Sequence, residues 1–528
     1  MTPITALTDV SRAFDRLHHG LFKRKLFDFG FPRQLIELVM EFISDIDVSL
    51  SWGNSKTELL ERGNTGVPQG SLEGMWNFGV YSDNIQAAIS KSVKGITVGS
   101  EVVRAIIYAD DVSPVTAGPL EMNAVLKSMS MAGTFNAYKF KPSKCKVLGS
   151  GLNQQKEYTL GGRSIELAES GLLLGVVIDG RSIFTREHVM RRAKMVSTAI
   201  KQIKSWRTKG LPFKIAFQHL FLAKVVPRFT YCFSLIPCEE GRLNLELIQS
   251  ILGKALCSTF GWNVPKRFKI KPAIWSIVCG FPTAFALLRK LKLHMAARLK
   301  LGNNRAGRIF RSLYGSDGTV FERDVKLALE EWLLKGLWVS LDNNSLSNFK
   351  RKVRRISMKC WPKDVQMTGN LSWLYHNHNV FSGNVPKWAD WEWPKSKDRN
   401  VFITHFNSLL TGQNPAGGGD ACCSNCLCKE KKDPVYVHHF FKCVEFSRNR
   451  SFFRNSVKRM FNRYVNDGNR DIPVSLINRI LLSPCGMWVG LFDKCLFDVG
   501  LRLKSAHELH RIVTISSILS WGRFYPIP

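Results

Sequence analysis

Two β-branched runs, residues 102–108 and 112–116, close around Ala109-Asp110-Asp111. An apolar hairpin with two adjacent carboxylates at its tip must keep that tip near water or a cation, because ionised carboxylates are not buried unpaired. A further acid, Asp9, closes the short strand-like segment 6–10. Strand ends far apart in sequence can become neighbours in one sheet, so the three acids are candidates for one site. Such a set can hold two Mg²⁺ ions ~3.5–4 Å apart, one activating an attacking hydroxyl and the other stabilising the leaving group of an in-line phosphoryl displacement. Hard oxygen donors suit that ion. A solvated turn is the plainer account of Asp110-Asp111 taken alone.

The first 180 residues alternate strand-like and helix-like segments. Helical periodicity is expected over 32–44, 73–90 and 120–135, and a hairpin over 48–52 and 57–61 around Gly53-Asn54. Between the acids lies Asn64-Thr65-Gly66-Val67-Pro68-Gln69-Gly70-Ser71. Gly66 and Gly70 allow close backbone approach and Pro68 fixes the turn. The Gln69 amide offers donors and an acceptor toward a nucleotide. From about 185 the pattern turns helical, with further helices around 213–224, 285–300 and 321–337.

Charge narrows the partners. Lys plus Arg number 75 against 42 Asp plus Glu, a formal net charge of +33. A chain this basic calls for a polyanion, with nucleic acid the first choice. At 45% apolar composition it is not disordered throughout. The longest apolar window, 273–288, contains Pro282 and falls short of the ~20 residues of a spanning helix, so no membrane is expected. The N-terminus lacks a secretory signal and the 13 cysteines are an odd, scattered set, so a reducing location, nuclear or cytoplasmic, is expected.

Basic residues cluster twice. On the helix from Thr185, Val189, Ala193, Val196, Ala199 and Ile203 form an apolar stripe, and Arg191, Lys194, Lys201 and Lys204 form a basic one that can contact phosphates or simply face solvent. The run 350–355 (KRKVRR) reads as a nuclear-import signal, a nucleic-acid contact or a solvated helix face. Near the C-terminus, Cys423-x₂-Cys426 and His438-x₄-Cys443 have the spacing of a tetrahedral zinc site, with Cys422, Cys428 and His439 as alternative ligands.

Taken in order, these segments resemble a reverse transcriptase of the non-LTR (LINE-type) retrotransposon family. ALTDVSRAFDRL is similar to its first palm motif, GVPQGS to the second and YADD to the third. Residues 136–148 (NAYKFKPSKCKVL) resemble the Lys-bearing fourth motif, and 172–179 (LLLGVVID) the strand that begins the primer grip. The cysteine/histidine cluster resembles the family's downstream zinc knuckle. The second motif departs from the family where Leu72-Glu73-Gly74-Met75-Trp76 replaces a Pro-rich continuation.

The resemblance implies an RNA-directed DNA polymerase that uses two Mg²⁺ or Mn²⁺ ions, deoxynucleoside triphosphates, an RNA template and a DNA primer or target. Asp9, Asp110 and Asp111 would hold the metal, completed by the Val10 carbonyl. Phe14 would lie under the sugar and exclude a 2′-hydroxyl, and Gln69 with Gly70 would meet the nucleotide. Lys144 would protonate the leaving pyrophosphate, with Lys139, Lys141 and Lys146 as alternatives. Only eight residues precede Asp9, so the family's fingers would be missing, and a separate endonuclease is the implied partner. The expected architecture is α+β: a palm over 1–182 with an antiparallel sheet and helices, a helical thumb over 183–262 and a basic helical region with linker over 263–400. A zinc-knuckle-like module over 401–446, holding zinc through Cys423, Cys426, His438 and Cys443, and a helical tail over 447–528 would follow. The competing expectation is an inactive nucleic-acid-binding remnant or derived protein.

Overall fold

The computed structural model describes residues 3–358 apart from 45–46, 59, 62, 69–70, 150–156, 180–184, 239–241, 261–271, 280 and 316–317. The expected linker, zinc-knuckle-like module and C-terminal tail lie outside the described residues. The chain divides into two compact units, Met1–His188 with Arg298–Glu322, and Val189–Ala297 with the residues from Arg323 on. Among the described residues no helix is long and apolar enough to cross a membrane.

The first unit is built on a six-stranded mixed sheet. Its strands are β1 (Ile4–Leu7), β4 (Ala105–Tyr108), β5 (Asp111–Thr116), β6 (Lys146–Leu148), β7 (Tyr158–Leu160) and β8 (Arg163–Ala168), in the spatial order β7-β8-β6-β1-β5-β4. Only the β6–β8 pair is parallel. The hairpins β2 (Ile96–Val98) with β3 (Glu101–Val103), and β9 (Ser170–Leu173) with β10 (Val176–Asp179), stand beside it as separate two-stranded ribbons.

Helices supply the rest of that core: α1 (His19–Asp28), α2 (Arg33–Ser44), α3 (Leu72–Tyr81), α4 (Asp83–Ser92) and α5 (Pro119–Phe135). In α5, Met122, Val125, Leu126, Met129 and Ala132 recur at helical spacing and are buried. They join Ile4, Ala6 and Val147 from the sheet in one apolar cluster. Each fully buried side chain of this size stabilises by roughly 1.5–3 kcal/mol before entropy is counted.

Three expected elements are shorter than the periodicity suggested. The helix over 73–90 breaks at Ser82, whose hydroxyl donates to the Phe78 carbonyl at 2.8 Å while Asp83 opens a new first turn. The strand over 102–108 also divides. Glu101–Val103 pairs with Ile96–Val98, and only Ala105–Tyr108 pairs with the acidic-tipped strand. The helix over 321–337 stops at Glu331, and left-handed Leu333 turns the chain into a short helix, Lys335–Val339.

The described part of the second unit is helical. The lower part of α6 (Thr185–Thr208) buries Val189, Val196 and Ile203 and exposes Arg191, Lys194, Lys201 and Lys204, as the two expected stripes require. Phe213 to Phe229 is helical with a widened π-type stretch over Ala216–Val225, in which Phe217 stacks on Phe213 and Phe221. Helices α7 (Arg242–Phe260), α8 (Pro272–Val278), α9 (Ala284–Leu301), α11 (Val320–Glu331) and α12 (Leu346–Ser357) follow; α10 (Arg305–Leu313) belongs to the first unit. Gln249 of α7 ties three of these segments, donating to the Ser276 hydroxyl at 3.1 Å and accepting from the first amide of α9 at 2.7 Å.

Candidate active site

Register brings the acids together. β1 pairs with β5 at Ile4–Thr116 and Thr5–Val115, and Thr8 bridges Val112 in the same register. One residue further, Asp9 therefore stands opposite Asp111. The Thr8 hydroxyl also donates to the Val112 carbonyl at 2.6 Å, which pins this end of the sheet. Across β4 and β5, Tyr108 pairs with Asp111, leaving Ala109 and Asp110 as the two-residue turn. Ala109 takes φ +53°, a left-handed conformation that an L residue adopts at some cost.

The fourth segment holds Asp9 from the other side. Leu7 pairs with Lys146, Val10 bridges Phe140, and Lys141 N–H donates to the Asp9 carbonyl at 2.9 Å. Residues 141–145 thus bulge opposite Asp9, through the short helix Pro142–Lys144. The bulge delivers Lys144, whose Nζ lies 3.4 Å from Asp9 Oδ2. Of the alternative lysines, Lys146 is turned to Glu166 at 3.1 Å. Cys145, buried beneath the bulge, accepts from Asp9 N–H at 3.5 Å and donates to the Lys141 carbonyl at 3.2 Å. Its apolar surroundings raise the thiol above its ordinary value.

The charges act on one another. Burial first, then the charge of Asp9, raises the Asp110 carboxyl above its ordinary value, with Lys144 pulling the other way. Asp111 is raised by burial, then by Asp110 and Asp9. Excess negative charge on hard oxygens is the donor set a divalent cation fits. Among the described residues, no three acidic, His or Cys side chains are gathered tightly enough to hold a metal as they stand. Asp9 leans on Lys144 instead, and both side chains are open to solvent, at 33% and 59% exposed. An exposed pair of this kind contributes ~0–1 kcal/mol, so a cation can exchange for it.

An aromatic chain joins the motifs from below. Phe14 lies 5.6 Å from Phe78 of α3, which lies 6.3 Å from Tyr138; Tyr138 lies 6.1 Å from Phe140. Phe14 is half-buried and packs against the core. Val10 is buried beside Phe140. Gln69 and Gly70 lie outside the described residues, but the segment that leads to them is held firmly. Gly66 N–H donates to the Leu17 carbonyl at 2.7 Å and Val67 N–H to the Phe14 carbonyl at 2.8 Å. At φ +92°, Gly66 holds a conformation that favours glycine.

Sequence reasoning missed His19. Its buried ring places Nε2 2.8 Å from the Gly66 carbonyl and Nδ1 3.3 Å from the Ser44 hydroxyl. A carbonyl only accepts, so Nε2 donates to Gly66. His19 thereby pins the approach to Gln69 onto α1 and the end of α2. Nothing in the His18-His19 pair marks which ring turns inward. Replacing His19 with Phe keeps most of the volume but takes the donor from a buried carbonyl, a loss of about 1–3 kcal/mol. Faster hydrogen exchange at the Gly66 and Val67 amides is the expected result, and unchanged protection there would remove His19 from this role.

A mixed sheet covered by helices, with three acids at one end and a lysine among them, is an α+β polymerase-like arrangement. Residues 3–168, which span the sheet just described, match the family model of the reverse transcriptase (RNA-dependent DNA polymerase). No curated protein matches the chain. Reverse transcriptase domains act on an RNA template, a primer and nucleotides with divalent metal ions such as Mg²⁺.

Proposed function

We propose that this chain is the polymerase of a non-LTR retrotransposon, extending a primer 3′-hydroxyl along RNA by Mg²⁺-dependent nucleotidyl transfer. The observation that carries the reading is the register that sets Asp9 opposite Asp111 beside the Asp110 turn, inside the span that matches the reverse transcriptase model. Asp9, Asp110 and Asp111 would hold the metal, whose chemistry is to activate the primer hydroxyl and to neutralise charge on the phosphates. Phe14, half-buried beside Phe78, would form the floor beneath the sugar. Val10 would be fixed for its backbone role by its bridge to Phe140. Lys144 would donate its proton to the departing pyrophosphate, from a position that already answers the charge of Asp9. Gln69 and Gly70 would meet the nucleotide at the end of the segment that His19 secures.

The test is primer extension on an RNA template by the purified chain, against the same chain with Asp110→Asn. Equal signal from both proteins would reject the reading. Lys144→Ala should lower kcat about 100-fold, the typical contribution of a positioned general acid. Lys146→Ala should change it little, because Lys146 is already engaged by Glu166. The reverse order would move the proton donor to Lys146.

A second reading, an inactive nucleic-acid-binding protein, draws on the +33 charge. It predicts salt-sensitive RNA binding without extension. The zinc set Cys423, Cys426, His438 and Cys443 lies outside the described residues and weighs on neither reading.

A further inference from the structure

Helix α12 (Leu346–Ser357) carries Lys350, Arg351, Lys352, Arg354 and Arg355 and no acid. Phe349, Val353 and Ser357 are its buried stripe. At 3.6 residues per turn, Arg351 and Arg355 stand one turn apart at the centre of the opposite face, with Lys352 and Arg354 on either side. All four are exposed. Solvated helix faces commonly intersperse opposite charges three or four residues apart. Here the contact made by these head groups is neutral, Arg351 to the Asn348 side-chain oxygen at 3.1 Å. Among the described residues, no carboxylate pairs with any of them.

The density of charge is felt behind the helix. Lys290 of α9 is held below its ordinary value first by burial and then by Arg354. Like charges gathered without counter-charge repel, and a polyanion would relieve the repulsion. The helix also disfavours one reading of this run. Import signals bound as extended peptides would have to pull Phe349 and Val353, 2% and 0% exposed, out of the core. A phosphate backbone can dock on the helix as it stands.

We propose that the exposed face of α12 is a docking surface for the phosphate backbone of RNA, contacted by Arg351, Lys352, Arg354 and Arg355 without reading base sequence. The choice of RNA over DNA rests on the polymerase reading above, since RNA is the polyanion that an RNA-dependent DNA polymerase must hold. Contacts of this type position a strand and carry no sequence information.

The experiment measures binding of the full chain to a 20-base-pair RNA duplex by fluorescence anisotropy, without metal or nucleotide, across a salt series. The comparison is a variant with all four residues changed to Gln. Each phosphate contact contributes about 0.9 to the log–log salt slope, so the slope should fall by about 3–4 and affinity by about 100-fold or more at low salt. A variant with only Arg351→Gln and Arg355→Gln should lose about half of that slope, which guards against misfolding of the fourfold variant. Identical slopes for wild type and both variants would overturn the docking surface. A larger loss on a DNA duplex than on RNA would overturn the choice of RNA. Unchanged RNA binding with lost binding to an import receptor would overturn both. Failure of the wild type to extend a primer would sink the polymerase reading alone, because the slopes are read without catalysis.

Discussion

Asp110→Asn should cut primer extension about 1000-fold and yet leave the protein no less stable at neutral pH. On the proposed reading the activity loss follows from weakening the acidic set that would hold the metal, whose charge would offset that of the reacting phosphates, worth roughly 4 kcal/mol of barrier. The stability result follows from the opposite side of the same electrostatics. Asp110 is raised above its ordinary value by burial and by Asp9. The folded state therefore binds this proton more tightly than the unfolded chain does. Its stabilising contribution is complete below the ordinary carboxylate range and disappears as pH rises through the raised value. At pH 7 the ionised group is a burden that Asn lacks. With metal chelated, the variant's melting temperature should equal or exceed that of the wild type at pH 7, and the gap should close as pH falls into the carboxylate range. A clear drop at pH 7 would show that Asp110 is structural. Retained extension would take it out of the chemistry.

The sheet was legible in the sequence where a strand ended in an acid or turned on one. The hairpin expected from the 102–108 and 112–116 runs, of which 105–108 pairs with 111–116, and Asp9 needed only β-branched runs and their polar ends. Lys144 could not be separated from Lys139, Lys141 and Lys146 by spacing. The separation comes from a bulge whose existence depends on Leu7–Lys146 and Val10–Phe140 pairing across some 130 residues. The roles of His19 and Cys145 were invisible for the same reason, since each depends on a backbone atom brought in from a distant segment. Helix breaks at Ser82 and Leu333 were missed because apolar periodicity continues across them, while a side-chain hydrogen bond at the first and a left-handed residue at the second decide locally. Charge composition pointed to a polyanion, and the buried stripe of α12 shows which of its basic residues face outward together.

In the second unit, Asp324→Ala should destabilise by about 3–5 kcal/mol, the cost of removing one partner of a buried ion pair. Lys292 and Asp324 are 1% and 2% exposed and pair directly. Lys292 also donates to the Ile236 carbonyl at 2.9 Å, and Asp324 accepts from the Cys238 amide at 2.9 Å. The pair thus clamps the segment around 236–238 between α9 and α11. Truncating the acid leaves a buried ammonium without its carboxylate and a buried amide without that acceptor, two penalties at one point. An apolar replacement of the whole pair avoids the first penalty, so Lys292→Met with Asp324→Leu should recover part of the loss, although the Cys238 amide still forfeits its acceptor and the Ile236 carbonyl its donor. Hydrogen exchange in the full chain separates this from a general collapse. Amides around 236–238, 289–293 and 324–329 should exchange faster in the single variant, while β1 and β5 keep their protection. If those three stretches stay as protected as in the wild type, the ion pair is not what holds this unit together.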